Sequence, residues 1–414
     1  MQMNVCAKED GMTSKRRRFV ALVAVVAALA LVVTGCASKT DTGGTDGGAK
    51  EATVVKIGIG APLTQGAVAL GKGMERGANL AISQANEDAA VKDLGITFES
   101  VSGDDQGDPK TGVTVANQFV SDSKLVGVMG HLNSGVSIPA SKVYNQSSVV
   151  MVSPASTNPS LTQNGLDNVF RVCTIDSVQG PSGADSAFKD LGFTSAFVVD
   201  DSTPYGTGLA DEFAKQFAAD GGKVVGREKT GDKDSDFNAL VTKIKSLNPA
   251  VVYYGGIYNS GALLSKQLSD AGVTAPLMGG DGLYDGEYIK LAGDAAAEGD
   301  FCTSVGYPID QLPKGADFKA AFEAAYPGEA IAAYDAYSYD AANVIIEAVK
   351  KVAADLGAAK VTTLEGKKAI IAAVAATNME GVTGAVAFDA NGDTTNKVIT
   401  LYTVKAGAWT AYVK

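Results

Sequence analysis

Short apolar runs alternate along this chain with longer stretches whose apolar residues recur every three or four positions. Val54–Ile59, Ile96–Val101, Leu125–Met129 and Val149–Val152 have the length and content of strands. Gly71–Glu87 places Met74, Ala78, Ala81, Ile82 and Ala85 at helical spacing. Pro109 opens a helix running to Asp122, and a helix-like segment separates the third strand from the fourth. After Val169–Cys173 the rhythm restarts. Helices are predicted over Gln179–Leu191, Tyr205–Asp220, Asp236–Leu247 and Ser260–Ala271. Strands are predicted over Ser195–Val199, Lys223–Glu228, Ala250–Tyr254 and Pro276–Met278. Helices Ala316–Ala325, Ala333–Val352 and Leu364–Ala375 follow. Strands Val386–Phe388, Lys397–Tyr402 and Trp409–Val413 end the chain, with Asp389–Asp393 as a tight turn in a terminal hairpin.

Strands joined through helices run parallel, because the crossover is long enough to return. Two such series of similar length predict an α/β fold of two doubly wound lobes. Open sheets of this kind bind ligands at the carboxyl ends of their strands. Two hydroxyl-rich turns stand there: His131-Leu132-Asn133-Ser134-Gly135 and Ser153-Pro154-Ala155-Ser156-Thr157. They offer hydroxyls and backbone N–H groups but no obvious nucleophile–base pair. The expectation is a site that holds a small polar molecule without reacting with it.

Composition narrows the classes. Charged residues are 20% and hydrophobic residues 46%, enough apolar content for a core. The length of 414 residues suits two domains or one two-lobed body. Net charge is −11; without residues 1–35, 30 basic residues face 44 acidic ones, a net −14. That balance, with no basic stripe carrying interleaved aromatics, argues against nucleic acid.

The N-terminus reads as a targeting segment. Lys15-Arg16-Arg17-Arg18 precedes an apolar run, Phe19 to Val33, of 15 residues. A spanning helix needs about 20. Val33-Thr34-Gly35-Cys36 then resembles a bacterial lipobox, whose Cys36 would carry the lipid. Met12 is an alternative start. Residues 1–35 are expected to be a lipoprotein signal peptide, and 36–52 the lipidated Cys with a flexible Gly/Thr/Asp-rich linker. An acylated Cys36 would tether a soluble body to the outer face of the cell membrane.

Several motifs fail. His131 is the sole histidine, so a His-based triad or zinc site lacks partners, and a structural role fits better. Gly71–Gly77 has the wrong glycine spacing for a dinucleotide fingerprint, and no P-loop is present. No cofactor is expected. Asp232–Asp236 begins like a calcium loop but carries Phe237 at the sixth position and Lys243 at the twelfth. It reads as an acidic turn in which Asp236 caps the next helix. Asp281 is different: it follows a strand, among glycines, with no basic neighbour.

These groups fit an amino acid zwitterion. Ser134 and the Ser156-Thr157 turn can donate to a carboxylate at a helix N-terminus. The Ala155 carbonyl, the Thr157 hydroxyl and Asp281 can accept from an ammonium. Tyr205, Ile257, Tyr258 and Tyr334 can wall an apolar side-chain pocket, or equally pack in the core.

The chain resembles the leucine/isoleucine/valine-binding proteins, type I substrate-binding proteins of branched-chain amino acid ABC importers. The likeness runs from Val54 to Trp409. It rests on Gly60–Thr64, Asp104-Asp105 with Asp108-Pro109-Lys110, Gly130-His131-Leu132, Ser153–Thr157, Asp176-Ser177 with Gln179-Gly180-Pro181, Tyr205-Gly206, Tyr253–Gly256, Gly279–Gly282 and Phe388-Asp389 with Gly392-Asp393. The resemblance implies two Rossmann-like lobes joined by a three-strand hinge. The first lobe would hold 53–174 plus 304–381 and the second 175–303 plus 382–414. It makes Ser134, Ala155 and Thr157 the grip on carboxylate and ammonium. It sets Asp176 near the ammonium and Tyr205 and Tyr334 as pocket walls. Asp281 stands where the best-known member has Glu, and Leu70 and Ile257 where it has Tyr; Leu132 joins the candidate wall. Cys173 and Cys302 fall near the first and second crossings, which motivates a disulfide between them.

The expected function is capture of an amino acid, branched-chain aliphatic first, by closure of two lobes and delivery to a membrane permease. The expected form is a non-enzymatic monomer. Open alternatives are another small amino acid, an amide or urea, a ligand sensor, or a small-amide hydrolase.

Overall fold

The computed structural model describes residues 52–413, all within the compact unit Lys50–Lys414. The signal peptide, Cys36 and nearly all of the linker lie outside the described residues. Five strands form the first sheet: β1 (Thr53–Ala61), β2 (Ile96–Asp104), β3 (Leu125–Gly130), β4 (Val150–Ser153) and β5 (Val169–Arg171). Their order is β2-β1-β3-β4-β5, all parallel. β3 and β4 are buried along their whole length. Residues of β4 alternate between two cores. Val150 and Val152 pack into the core that holds helices Val68–Glu87 and Asp335–Leu356. Val149, just before the strand, and Met151 pack into the core that holds Pro109–Ser121 and Ser134–Gln146. A sheet covered on both faces needs apolar residues on both, so its strands are continuous apolar runs.

The second sheet contains β6 (Ser195–Asp200), β7 (Lys223–Lys229), β8 (Val251–Gly255), β9 (Leu277–Gly279) and β10 (Phe301–Val305). A two-stranded hairpin, β11 (Asn378–Gly381) with β12 (Gly384–Ala387), stands apart from both sheets. β13 (Ile399–Lys405) and β14 (Ala408–Ala411) then extend the second sheet to β14-β13-β10-β9-β8-β6-β7. The sheet is parallel through β10 and antiparallel beyond it.

The chain passes between the sheets three times: after β5, after β10 and before β13. The crossings touch. Arg171 N–H donates to the Gly392 carbonyl at 3.0 Å, and Gly306 N–H to that of Val398 at 2.8 Å. This is the two-lobed, doubly wound α/β fold that the sequence pattern predicts.

The sequence reading missed β10 and β11, and four of its explicit expectations differ from the structure. Asp389–Asp393 does form a tight turn, but the terminal hairpin turns at Ala406-Gly407, both at positive φ. The helix predicted from Gln179 begins at Asp176 and continues past Asp185 as a wider turn over Ser186–Asp190. Asp236 sits one residue before the cap position, Phe237, and accepts the Asn238 N–H from there at 3.0 Å. The expected disulfide is not formed: Cys173 and Cys302 are free and fully buried. Each has its own niche. The Cys173 thiol donates to the Ser156 carbonyl at 3.7 Å, while Cys302 lies in mid-sheet, paired with Gly279 and Tyr402.

Candidate functional site

The first sheet reverses direction of winding between β1 and β3, and the second between β6 and β8. The carboxyl ends at both switch points face one cavity of about 330 Å³. From the first sheet, Ala67 and Leu70 follow β1, Gln106 and Gly107 follow β2, Leu132–Gly135 follow β3, and Ala155 follows β4. From the second, Asp201–Tyr205 follow β6, Asp232 and Lys233 follow β7, Ile257 and Asn259 follow β8, and Gly282 follows β9. Tyr334, just before the helix Asp335–Leu356, closes the wall.

Seven predicted residues are therefore on the wall: Leu70, Leu132, Ser134, Ala155, Tyr205, Ile257 and Tyr334. Ser134 starts the helix Ser134–Gln146; the Val136 and Ser137 N–H groups both donate to the Asn133 carbonyl at 2.9 Å, which leaves those of Ser134 and Gly135 at the helix N-terminus. Its hydroxyl accepts the Asn158 N–H at 3.3 Å. A carboxylate fits there, facing the positive end of the helix.

Thr157 and Asp176 lie behind this wall, fully buried. The Asp176 N–H donates to the Thr157 carbonyl at 3.0 Å. Yet Thr157 Oγ1 and both Asp176 carboxylate oxygens make no well-formed hydrogen bond. Burial pushes the Asp176 carboxyl up to about 8; the nearby Thr157 hydroxyl partly opposes this, and Asp281 adds to it. Buried acceptors without donors are costly. A cationic donor would relieve them.

Asp281 has a more specific place than sequence reasoning gave it. It is fully buried, and both its oxygens accept phenol hydroxyls, from Tyr205 at 2.9 Å and from Tyr334. Burial raises its pKa, and these hydroxyls oppose the rise. Its charge thus sits behind two wall tyrosines, one from each lobe. Ser156 is a correction. Its Oγ lies 2.9 Å from the Leu132 carbonyl, 3.1 Å from that of His131 and 2.6 Å from Ser137 Oγ. Its N–H donates to Ser153 Oγ. It braces one turn against the other rather than facing the cavity. Tyr258 is a second correction: it is not on the wall but bridges the lobes, accepting the Ala69 N–H at 3.3 Å.

His131 is structural. It is fully buried, with Nδ1 2.6 Å from Asp105 and Nε2 2.8 Å from the Tyr144 hydroxyl. A Cβ on Gly60 would come within 2.5 Å of its ring, so only glycine fits there.

Sequence reasoning missed Asn133, Gln106, Asp201, Thr203, Asp232, Lys233 and Asn259 on the wall. All lie just past strand ends, a position that identifies them once the sheet order is known. Burial pushes Asp201 up to about 6, against hydrogen bonds from Thr203.

A cleft lined from the carboxyl ends of two doubly wound sheets, at their paired switch points, is the binding site of a two-lobed α/β fold. A profile of the family described as "Periplasmic binding protein" matches residues 54–408. Leu/Ile/Val-binding protein homolog 1 of Brucella abortus is 37% identical over 296 residues, covering 72% of this chain and 78% of the relative. The leucine-binding protein LivK of Thermotoga maritima superposes with a TM-score of 0.78 at 29% identity, covering 87% of this chain and 98% of its own. A substrate-binding protein of Desulfitobacterium hafniense, solved with Leu, gives a TM-score of 0.69 at 26% identity, over 87% of this chain and all of its own. The chain belongs to the periplasmic binding protein family, among the Leu/Ile/Val-binding proteins of branched-chain amino acid ABC transporters. At that level it is an extracytoplasmic substrate-binding protein rather than an enzyme.

Proposed function

We propose that this protein captures an L-amino acid with a branched aliphatic side chain and delivers it to an ABC importer. The observation that carries the reading is the set of buried, unpartnered acceptors, Thr157 Oγ1 and the Asp176 carboxyl oxygens, on two residues joined by a backbone hydrogen bond, the first of them two positions past the wall residue Ala155. The Ser134 hydroxyl and helix N-terminus receive the carboxylate. The Ala155 carbonyl and Thr157 receive the ammonium, with Asp176 and Asp281 supplying negative charge. Leu70, Leu132 and Ile257 leave an apolar space for the side chain. The relative solved with Leu supports that ligand class. Anchoring by a lipid on Cys36 keeps the body near its permease, and the protein acts as a monomer with the two discontinuous lobes set out above.

The test is a thermal-shift screen of the twenty amino acids with small amides and urea, followed by calorimetry. Leucine, isoleucine and valine should give the largest shifts and be recovered unchanged. A response confined to amides or urea, or hydrolysis of any ligand, would refute the reading. Reduced leucine uptake in a deletion strain checks delivery; intact uptake would favour a sensor.

A further inference from the structure

Arg171 is the largest fully buried side chain among the described residues. A buried guanidinium persists only where its donors are met. Here Nε donates to Asp393 Oδ1 at 2.6 Å, and Nη2 to Thr162 Oγ1 at 2.6 Å. Thr162 Oγ1 in turn donates to Asp393 Oδ1 at 2.8 Å, closing a ring. Nη1 reaches two backbone carbonyls, Ser156 at 2.7 Å and Asn158 at 2.9 Å. Those carbonyls flank Thr157. The carbonyl between them is held by the Asp176 N–H. Three successive carbonyls are thus fixed, two by Arg171 and one by Asp176, while the Thr157 hydroxyl makes no well-formed hydrogen bond. Asp393 belongs to the third lobe crossing and pairs with Arg171 in a parallel bridge. At the far end of the segment, Asn158 Nδ2 donates to the Pro204 carbonyl of the second lobe at 2.7 Å.

We propose that Arg171, held by Asp393, is a positioning residue for amino acid binding. It sets the Ser156–Asn158 backbone so that Thr157 faces the ligand, and it ties that segment to the hinge. This rests on Thr157 being part of the grip.

Arg171→Lys keeps the charge but loses the planar fork that reaches both carbonyls and Asp393. Asp393→Asn keeps an oxygen for Nε and the side-chain shape, so it covers the case in which the lysine variant does not fold. L-leucine affinity is measured by calorimetry for each, alone and combined with Thr157→Ala, alongside the melting temperature without ligand. Each single variant should weaken leucine binding by about tenfold or more, the loss of one or more charge-assisted hydrogen bonds at the segment. In the Thr157→Ala background the same change should cost no more than about twofold, because coupled residues are not additive. A purely structural role would lower the melting temperature and multiply in full with Thr157→Ala. That result, or both single variants staying within about twofold of wild type while Thr157→Ala loses affinity, overturns the coupling alone. Unchanged affinity in Thr157→Ala itself would overturn the assigned grip and the coupling with it.

Discussion

The Tyr258 hydroxyl of one lobe accepts the Ala69 N–H of the other at 3.3 Å. Tyr258 is buried, and the contact joins the helix after β1 to the helix after β8, so opening of the lobes would break it. Tyr258→Phe keeps the ring and removes the acceptor. A net hydrogen bond of about 1 kcal/mol is lost from the closed form, and the open form loses nothing. Leucine should therefore dissociate about three- to tenfold faster, with association little changed. Stopped-flow dissociation checks this, and an unaltered off-rate would remove Tyr258 from the closure contacts.

Asp281 sits at a second contact between the lobes, joined to Tyr205 and Tyr334. Asp281→Asn keeps the shape and removes the charge. A buried carboxylate without a cationic partner is expensive, so the ligand-free variant should melt no lower than wild type. Leucine binding should fall by at least about tenfold, because the ammonium loses a nearby negative charge. Stability and affinity moving apart is the diagnostic outcome, read by calorimetry and thermal melts. A variant with wild-type affinity would exclude Asp281 from ammonium recognition.

Asp176 gives the pH dependence. Burial raises its carboxyl from 3.8 to about 8. Between those values the native protein holds a proton that the unfolded chain has released. The stabilisation is complete below about pH 4 and is lost as pH rises through about 8, by at most about 1.4 kcal/mol per pH unit. A ligand ammonium favours the carboxylate instead. Binding at pH 6.5 should then expel a proton, and affinity should climb toward pH 8. Calorimetry in two buffers of different ionisation enthalpy measures that proton. Asp176→Asn should bind more weakly and show no such release. Identical apparent enthalpies in both buffers for wild type would contradict the assignment.

The fold was legible because each inner strand is covered on both faces. Runs such as Val149–Val152 are apolar throughout, and the alternation of strands and helices follows from their rhythm. β10 was not legible. Its Thr303 and Ser304 are buried, but they read as polar in sequence. The wall residues could be found as strand-end residues, which is why Ser134 and Ala155 were identified. Their supports could not. Asp281 stood out as a lone charge among glycines, but its tyrosine partners are 76 and 53 residues away. Arg171 looked like one basic residue in a short strand. Only the return of Asp393 from the third crossing shows what it holds.

Cys173 and Cys302 test the hinge independently of any ligand. Both are free, and burial pushes both thiols well above their ordinary range. A thiol is reactive as the thiolate, so neither should react while the protein is folded. With Cys6 and Cys36 replaced by Ser, the native protein should show no thiol titrating with a disulfide reagent. Unfolding in denaturant without reductant should release two. Two free thiols would also fit the Cys173 contact, since its thiol shares the Ser156 carbonyl that Arg171 holds. Release of none without reductant, and two with it, would mean the crossings come close enough to bridge. The segment carrying Cys173 would then have to leave that carbonyl, and leucine affinity would differ between the oxidised and reduced protein.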